Sequence, residues 1–407
     1  MSSQERATSD SDRTATALCL ANSDLCRNIA SFCDGVDLLH LEQVNCLWQS
    51  VATDQFRAII EYPDYKFLTL HRRHTLSSIK RACFRISNRR NKDENALCLF
   101  GGAYDSSSKT MCSILESRLS SNAADVTAKI NQDLPRTLTC SACAADNDGN
   151  ILILGGWDDL ANGTVAAVRS FNTQGPVEDR RWTMLPPLCR PRCFGAAVAL
   201  STGDMLHMGG GSSLYVGGVC YADTFIRKAG SADWQEKIVP SVLRARYGHS
   251  AFELFSGDIL ITGGYGGGSF FHRSVEMLTQ NLDRWIELPE MSVPRSAMAA
   301  VLGPSGSIYV AGGTVDGTTG HKSAERYDPR EGKWSPLASM HMRRGCTTGC
   351  LSVCKSGFYV LGGSSNWAYN QNMEFYDFRM NEWTLMQAAP EQRSLLGRAI
   401  PYLKLDI

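Results

Sequence analysis

The sequence lacks several features that would assign it to a common class of protein. Its formal net charge is zero, with 41 basic and 41 acidic side chains, so no overall charge favours nucleic acid or an anionic membrane. No apolar run approaches the length of a membrane-spanning helix. The first 18 residues are polar and lack the apolar core of a secretory signal. The 15 cysteines are therefore expected to be reduced thiols in the cytoplasm or nucleus.

Metal-binding and catalytic patterns are also scarce. Cys140 and Cys143 have C-x-x-C spacing, but no second pair of Cys or His residues matches them. Their position corresponds to an innermost strand of the repeat described below, where small buried thiols are an ordinary explanation. The sequence therefore predicts no cofactor, no metal and no catalytic residue.

A repeat dominates the remainder of the chain. Six diglycines follow short apolar runs at intervals of 49 to 54 residues, which indicates one supersecondary unit repeated six times. The diglycines begin at Gly101, Gly155, Gly209, Gly263, Gly312 and Gly362. The runs before them read as buried strands, at Leu97–Phe100, Ile151–Leu154, Met205–Met208, Ile259–Thr262, Ile308–Ala311 and Phe358–Leu361.

Other residues recur in register with the diglycines. A tryptophan follows each of the last five pairs, at Trp182, Trp234, Trp285, Trp334 and Trp383, whereas the first unit has Val126 there. An arginine follows these positions, at Arg136, Arg192, Arg246, Arg295, Arg344 and Arg393. A glutamate recurs on the third predicted strand, at Glu116, Glu276, Glu325 and Glu374.

Residues 95–407 resemble the kelch repeat family on these motifs, and the resemblance implies a β-propeller of six four-stranded blades. Blades stack because one sheet cannot bury both faces alone. The glycines allow positive φ and close backbone approach, and the tryptophans are expected to be core plates between blades. Residues 397–405 lack a diglycine of their own, so we expect them to complete the first blade by pairing with 96–100; the alternative closing strand is 82–86.

The path of each predicted hairpin gives a candidate binding surface. Two antiparallel strands return the chain to the same edge, so the arginines and the residues after the diglycines should share one face around the channel mouth. Arginines and aromatics on such a rim would suit a peptide, particularly an acidic or phosphorylated one. The alternative is that the arginines hold loops by bonding carbonyls. The candidate substrate-binding rim is Arg136, Arg192, Arg246, Arg295, Arg344, Arg393, Tyr104, Trp157, Tyr265 and Trp367.

The first 94 residues carry none of the repeat motifs. Residues 1–19 are rich in Ser, Thr, Asp and Arg and are predicted to be a disordered tail. Residues 20–60 carry apolar positions of three short helices, two of which Asp24 and Asp37 can cap. Residues 61–94 form a basic helical linker, for which a solvated spacer is favoured over a nuclear-import or nucleic-acid patch.

Residues 20–60 resemble the F-box, with an isoleucine and phenylalanine helix, the pair Asp37-Leu38 and then Val44-Asn45 and Trp48. The usual opening Leu-Pro is Leu20-Ala21 here. The resemblance implies an all-α segment that binds a Skp-type adaptor. The implied adaptor-binding residues are Leu25, Ile29, Leu38, Leu41, Val44 and Trp48.

The two resemblances together predict the substrate-recognition subunit of an SCF-type ubiquitin ligase. The adaptor would link the chain to a cullin, the kelch rim would hold an unknown target protein, and the chain would perform no chemistry itself. It would act by raising the local concentration of its target near the charged E2 enzyme. The alternatives are a kelch scaffold for actin or a signalling partner, and an enzyme on a kelch scaffold similar to galactose oxidase or a sialate epimerase.

Overall fold

The structure, a computed structural model, describes residues 96–100, 114–119, 124–130, 138–146, 150–158, 161–172, 181–213, 218–351, 357–366, 368–370, 372–388 and 398–402. All of them belong to one unit, which spans residues 93–407. The predicted tail, F-box-like segment and basic linker lie outside the described residues. Within these ranges the chain forms strands and turns, and no helix there could span a membrane.

The unit is mainly β, and its strands form six four-stranded antiparallel sheets of the kind found as propeller blades. We number them blades 1 to 6 in the order of their second strands along the chain. In that order the innermost strands are Arg398–Tyr402, Ala142–Ala145, Ala196–Ala199, Ser250–Glu253, Ala299–Leu302 and Thr348–Leu351. The second strands are Ala96–Phe100, Ile151–Leu154, Met205–Met208, Ile259–Thr262, Ile308–Ala311 and Gly357–Leu361.

The outer half of each blade holds the third and fourth strands. The third strands are Ile114–Leu119, Val168–Phe171, Thr224–Arg227, Val275–Leu278, Ala324–Asp328 and Asn372–Asp377. The fourth strands are Ala124–Ile130, Trp182–Leu185, Gln235–Glu236, Trp285–Leu288, Lys333–Leu337 and Glu382–Ala388. The apolar runs before the diglycines are thus the second strands, as the sequence predicts.

Blade 1 takes strands from both ends of this region. Arg398–Tyr402 pairs antiparallel with Ala96–Phe100, with Ala96 opposite Tyr402 and Phe100 opposite Arg398. Contacts join the innermost strands of blades 2 and 3, 3 and 4, 5 and 6, 6 and 1, and 1 and 2. The C-terminal strand therefore lies between the innermost strands of the sixth and second blades, and it joins the two ends of the repeat array.

The core lies between blades. The second strands of blades 2 to 6 are buried along their whole length, because neighbouring blades cover both faces of each central strand. Four apolar clusters each combine residues of two successive blades; one of them packs Leu260 and Val275 of blade 4 against Ile308 and Val310 of blade 5. Three tryptophans, at 234, 285 and 383, are buried in these clusters as predicted, while Trp182 and Trp334 are only partly buried.

The segments after the second strands form small ribbons at one end of the blades. The paired strands of these ribbons are Leu138–Thr139 with Trp157–Asp158, Trp157–Asp158 with Gly163–Thr164, Tyr265–Gly267 with Phe270–Phe271, and Ser364–Ser365 with Ala368–Tyr369. These ribbons carry loops that differ in length between repeats, and they form the surface described next.

Candidate binding surface

One face of the unit brings together the segments that the sequence analysis singled out. The residue that follows each arginine pairs with the residue that follows a diglycine: Cys193 with Gly211, Tyr247 with Tyr265, Ser296 with Thr314, and Gly345 with Ser364. We call this face the rim, formed by these pairs and by the described residues of 157–164, 211–220, 265–272, 314–322 and 364–370. The predicted meeting of arginine and post-diglycine segments on one face is therefore present in the structure.

A series of backbone hydrogen bonds links successive blades beside the rim. The N–H of Phe194 donates to the carbonyl of Cys140 at 2.7 Å, Gly248 donates to Phe194 at 2.8 Å, and Ala297 donates to Gly248 at 2.7 Å. Each of these residues has positive φ, although only one is a glycine. Left-handed backbone at Cys, Phe and Ala costs free energy and persists only where the surroundings fix it. Here the bonds between blades supply that constraint.

The repeated arginines are not part of the exposed surface. Arg192, Arg246, Arg295 and Arg344 each have a relative exposure of 0%. The guanidinium of Arg295 donates to the carbonyl of Gly312 at 2.7 Å and to the carboxylate of Glu325 at 2.8 Å. The same two kinds of partner hold Arg246, through Gly263 and Glu276, and Arg344, through Gly362 and Glu374.

The carbonyl of each arginine makes a second connection, to the blade before it. The N–H of Gly264 in blade 4 donates to the carbonyl of Arg295 at 2.8 Å, while the side chain of Arg295 reaches Gly312 in blade 5. A Cβ on Gly263 would lie 2.4 Å from the same carbonyl oxygen, and both glycines of this pair have positive φ. Glycine is therefore required at this position, because the carbonyl of the next arginine approaches it closely. Each arginine joins two blades, one through its carbonyl and the other through its side chain.

The expectation that these arginines face a partner is therefore wrong for the four that the structure describes. A fully buried guanidinium satisfied by a carboxylate and a carbonyl cannot bind a ligand without disrupting its blade. Burial lowers the pKa of all four, that of Arg246 to about 10, which is still well above neutral pH. The alternative stated in the sequence analysis matches their geometry, because each of these arginines donates a hydrogen bond to a backbone carbonyl. Arg136 and Arg393 lie outside the described residues.

Blade 3 achieves the same connection with different residues. Phe225 occupies the second position of the third strand, where blades 4 and 5 have glutamate. Asp223 supplies the carboxylate instead, at 2.9 Å from Arg192, and the guanidinium lies 3.9 Å from the centre of the Phe225 ring. The cation–π contact and the displaced carboxylate together replace the glutamate.

The aromatic residues predicted for the rim are placed there but are mostly covered. Trp157 is 8% exposed and Tyr265 is 2% exposed, so neither presents a ring to solvent, which corrects that expectation. Tyr265 instead packs against Tyr247 at 4.8 Å between ring centres and donates its hydroxyl to the carbonyl of Gly268. Tyr104 and Trp367 lie outside the described residues.

Two apolar side chains that were not predicted from the sequence are exposed on the rim. Val219 is 61% exposed on the loop of blade 3, and Phe270 is 60% exposed on the hairpin of blade 4. Cys220 connects the two loops, because its thiol lies 3.7 Å from the carbonyl oxygen of Tyr265. We call Val219 and Phe270 the apolar patch. The segments 211–220 and 265–272 contain no Asp, Glu, Lys or Arg.

The sequence contains a signal for the buried arginine–glutamate pairs and another for the apolar patch. Arg246 and Glu276, Arg295 and Glu325, and Arg344 and Glu374 are each separated by 30 residues, the constant spacing of a paired donor and acceptor within a repeat. For the patch, the signal was an apolar residue at a hairpin tip rich in glycine, Gly266-Gly267-Gly268-Ser269-Phe270.

The titratable groups near the rim are held in unreactive forms. Burial raises the pKa of the Cys193 thiol to about 12 and also raises that of Cys220, so both remain protonated at neutral pH. Burial lowers the pKa of His272 to about 4, and its Nε2 lies 3.2 Å from the carbonyl oxygen of Ala245. Among the described residues no group of three His, Cys, Asp or Glu side chains could hold a metal ion.

Comparisons with known proteins support the repeat and the fold. The kelch motif matches residues 295–341. A solved structure titled "Structure of YjhT" has a TM-score of 0.54 and 16% sequence identity, over 66% of this chain and 89% of that one. A fungal alcohol oxidase of the AA5 family, in complex with copper, has a TM-score of 0.52 and 15% identity, over 72% of this chain and 63% of that one. No curated protein matches the chain.

These similarities define a β-propeller that carries a kelch motif. At 16% and 15% identity the two structures share the fold with this chain and nothing finer. Kelch repeats are generally found in protein-interaction scaffolds. The six residues predicted to bind an adaptor, Leu25 to Trp48, lie outside the described residues, and the F-box resemblance remains a prediction.

Proposed function

We propose that this chain is a protein-binding β-propeller whose rim holds a segment of another protein at the apolar patch. The observation that carries this proposal is the exposure of Val219 and Phe270 on neighbouring loops. Scattered exposed apolar side chains are ordinary on protein surfaces, but two on contacting loops that contain no charged residue indicate an interaction site. Phe270 also has a firm base, because its ring lies 4.9 Å from that of the buried His272.

The rim is suited to this role because its support is rigid and its loops are variable. The arginines, diglycines and third-strand carboxylates are used within the scaffold, so they repeat from blade to blade. The post-diglycine loops are free of that task and differ in length and composition. A rigid scaffold that presents variable loops is a common arrangement for recognition.

We further propose that the chain is the substrate-recognition subunit of an SCF-type ubiquitin ligase. The support is the F-box-like motif in residues 20–60, which precedes the kelch propeller in the sequence. A Skp-type adaptor would bind that segment and connect it to a cullin, while the rim binds the target. A scaffold for actin or a signalling partner would share the rim but not the adaptor.

The chain itself would perform no chemistry in this function. The thiols Cys193 and Cys220 have raised pKa values and make poor nucleophiles. His272 is 3% exposed and holds a backbone carbonyl, so it is not presented to a substrate. We therefore propose binding, and not catalysis, as the role of the rim.

Two separate experiments test the two levels of this proposal. Purification of the full chain with a Skp-type adaptor should yield a complex, and the Leu38→Ala/Trp48→Ala variant should lose it. Failure of the unchanged chain to bind the adaptor would contradict the ligase role and leave the rim proposal standing.

The rim is tested by comparing the proteins cross-linked to the full chain in cells. Val219→Ser/Phe270→Ser should lose partners that the original chain retains. Met184→Ser/Met380→Ser is the matched control, because those side chains are 62% and 65% exposed on outer parts of blades 2 and 6. Identical partner sets for the rim and control variants would contradict binding at the apolar patch.

A further inference from the structure

Two positively charged residues lie at opposite backbone positions on the rim of blade 5, and neither pairs with an acid among the described residues. An antiparallel bridge between His321 and Arg344 places Lys322 across from Arg343. Both side chains are exposed, and neither makes an ion pair with a carboxylate in the described part of the chain. The only hydrogen bond given by the Arg343 guanidinium there runs to the carbonyl of Gly320, at 3.4 Å. Like charges directly opposite each other on paired strands are unfavourable.

The other repeats act as internal controls for this pair. Backbone hydrogen bonds from Met291 to Arg273 and from Met340 to Lys322 show that Arg273 occupies the Lys322 position one blade earlier. Arg273 is neutralised there, because its Nε lies 2.6 Å from the carboxylate of Glu290. The residue before Met340 that corresponds to Glu290 is a serine, Ser339.

The position opposite also differs in blade 5. The residue before each buried arginine is Pro191, Ala245 and Pro294 in the three preceding units, and Arg343 here. Compared with blade 4, blade 5 therefore lacks the acid that neutralises the first cation and carries a second cation opposite it. The scaffold does not require this pair, since blades 2 to 4 make the same backbone bonds without it.

The nearest acid in the adjoining loop is already engaged. The carboxylate of Asp316 accepts hydrogen bonds from the N–H groups of Thr318 and Thr319, at 2.7 Å and 2.6 Å, and from the hydroxyl of Thr314. These bonds lower the pKa of Asp316 and hold its carboxylate to its own turn. Glu374 is likewise buried and bonded to Arg344 and His341. The positive charge of Lys322 and Arg343 is thus left uncompensated by these groups.

We propose that Lys322 and Arg343 form an anion-recognition site for an acidic or phosphorylated side chain of the protein segment bound at the rim. This inference rests on the proposed binding function and adds the chemistry of the partner: an apolar residue for the patch on blades 3 and 4, and an anionic residue for blade 5. A guanidinium and an ammonium side by side can hold a carboxylate or phosphate through charge-assisted hydrogen bonds.

The test uses three pools of randomised twelve-residue peptides passed over the immobilised full chain. The pools carry at a fixed position serine, phosphoserine or a glutamate pair, and the other positions exclude charged residues and cysteine. The original chain should retain the two anionic pools about five- to tenfold more than the serine pool, because two exposed cations each contribute modestly. The ratio between phosphoserine and glutamate identifies the source of the anion.

Lys322→Ala/Arg343→Ala should reduce retention of the anionic pools to that of the serine pool, with an unchanged or raised Tm because the repulsion is gone. Arg273→Ala, the same position in blade 4, is the matched control and should keep the preference. Val219→Ser/Phe270→Ser should lower retention of all three pools together and leave their ratio intact.

These outcomes separate the two proposals. An anionic preference that survives in the double cation variant, or no preference in the original chain, would overturn the anion site. A preference that depends on Lys322 and Arg343 but is indifferent to Val219 and Phe270 would support the anion site and contradict the apolar patch.

Discussion

Replacement of Arg295 by alanine should destabilise the propeller strongly without exposing any binding surface. The guanidinium of Arg295 has five hydrogen bonds, to Gly312, to the backbone and side chain of Ser323, and twice to Glu325. Arg295→Ala leaves the Glu325 carboxylate, whose side chain is 4% exposed, without its counter-charge. Removing one partner of a buried ion pair typically costs about 3–5 kcal/mol.

That loss should be visible in both thermal and chemical unfolding. For a domain of this size it corresponds to a fall in Tm of about 5–8 °C. Arg295→Lys should recover only part of the stability, because an ammonium cannot form the planar fork that reaches Glu325 and Gly312 together. The assay is equilibrium denaturation with the unfolding slope compared between variants, so that a change in midpoint reports a change in free energy.

Two further variants sharpen the interpretation. Arg330→Ala removes an exposed arginine paired with Asp328 and should change stability by less than about 1 kcal/mol. Arg295→Met/Glu325→Leu removes both buried charges and should be more stable than Arg295→Ala alone, because no unpaired carboxylate remains. If Arg295→Ala were as stable as Arg330→Ala, the buried network would not have the role assigned to it, and the arginines would have to be reconsidered as ligand contacts.

Three other predictions concern glycine, tryptophan and pH. Gly312→Ala should cost at least about 3 kcal/mol in denaturant melts, because its Cβ would lie 2.5 Å from a carbonyl oxygen, whereas Gly332→Ala, with similar positive φ and open space, should cost about 1 kcal/mol. Trp285→Ala should destabilise by about 3–5 kcal/mol and Trp285→Phe by about 1 kcal/mol, since the second change removes mainly the indole bond to a neighbouring loop; equal losses would contradict that division. The pKa of His272 is lowered in the folded state to about 4, so on acidification the unfolded chain takes up a proton at His272 before the folded chain does. The contribution of neutral His272 to the free energy of unfolding should be fully present above pH 6.5 and fall by up to about 3 kcal/mol as the pH drops towards 4. His272→Asn should flatten that part of a stability–pH curve, and an unchanged slope would show that other groups cause it.

The repeat and much of its local structure could be predicted from the amino-acid sequence alone. The diglycines predicted the ends of the second strands, and in the structure both glycines of each described pair have positive φ. The tryptophan and arginine positions predicted the outer strand and the entry to the innermost strand. These features depend on near neighbours in the chain and on one period, so spacing is enough to reveal them.

Which side chains the surface presents depends on how the blades pack together. The spacing of Arg295 gives its place in the blade, but its direction depends on Glu325 and Gly312, which folding brings to it from 30 and 17 residues away. Val219 and Phe270 lie on neighbouring loops because two blades bring those loops into contact, and no period in the sequence records that meeting. Residues that hold the blades together repeat and can be found by their period. Those that we propose to recognise a partner differ from loop to loop, so only the folded chain shows them together.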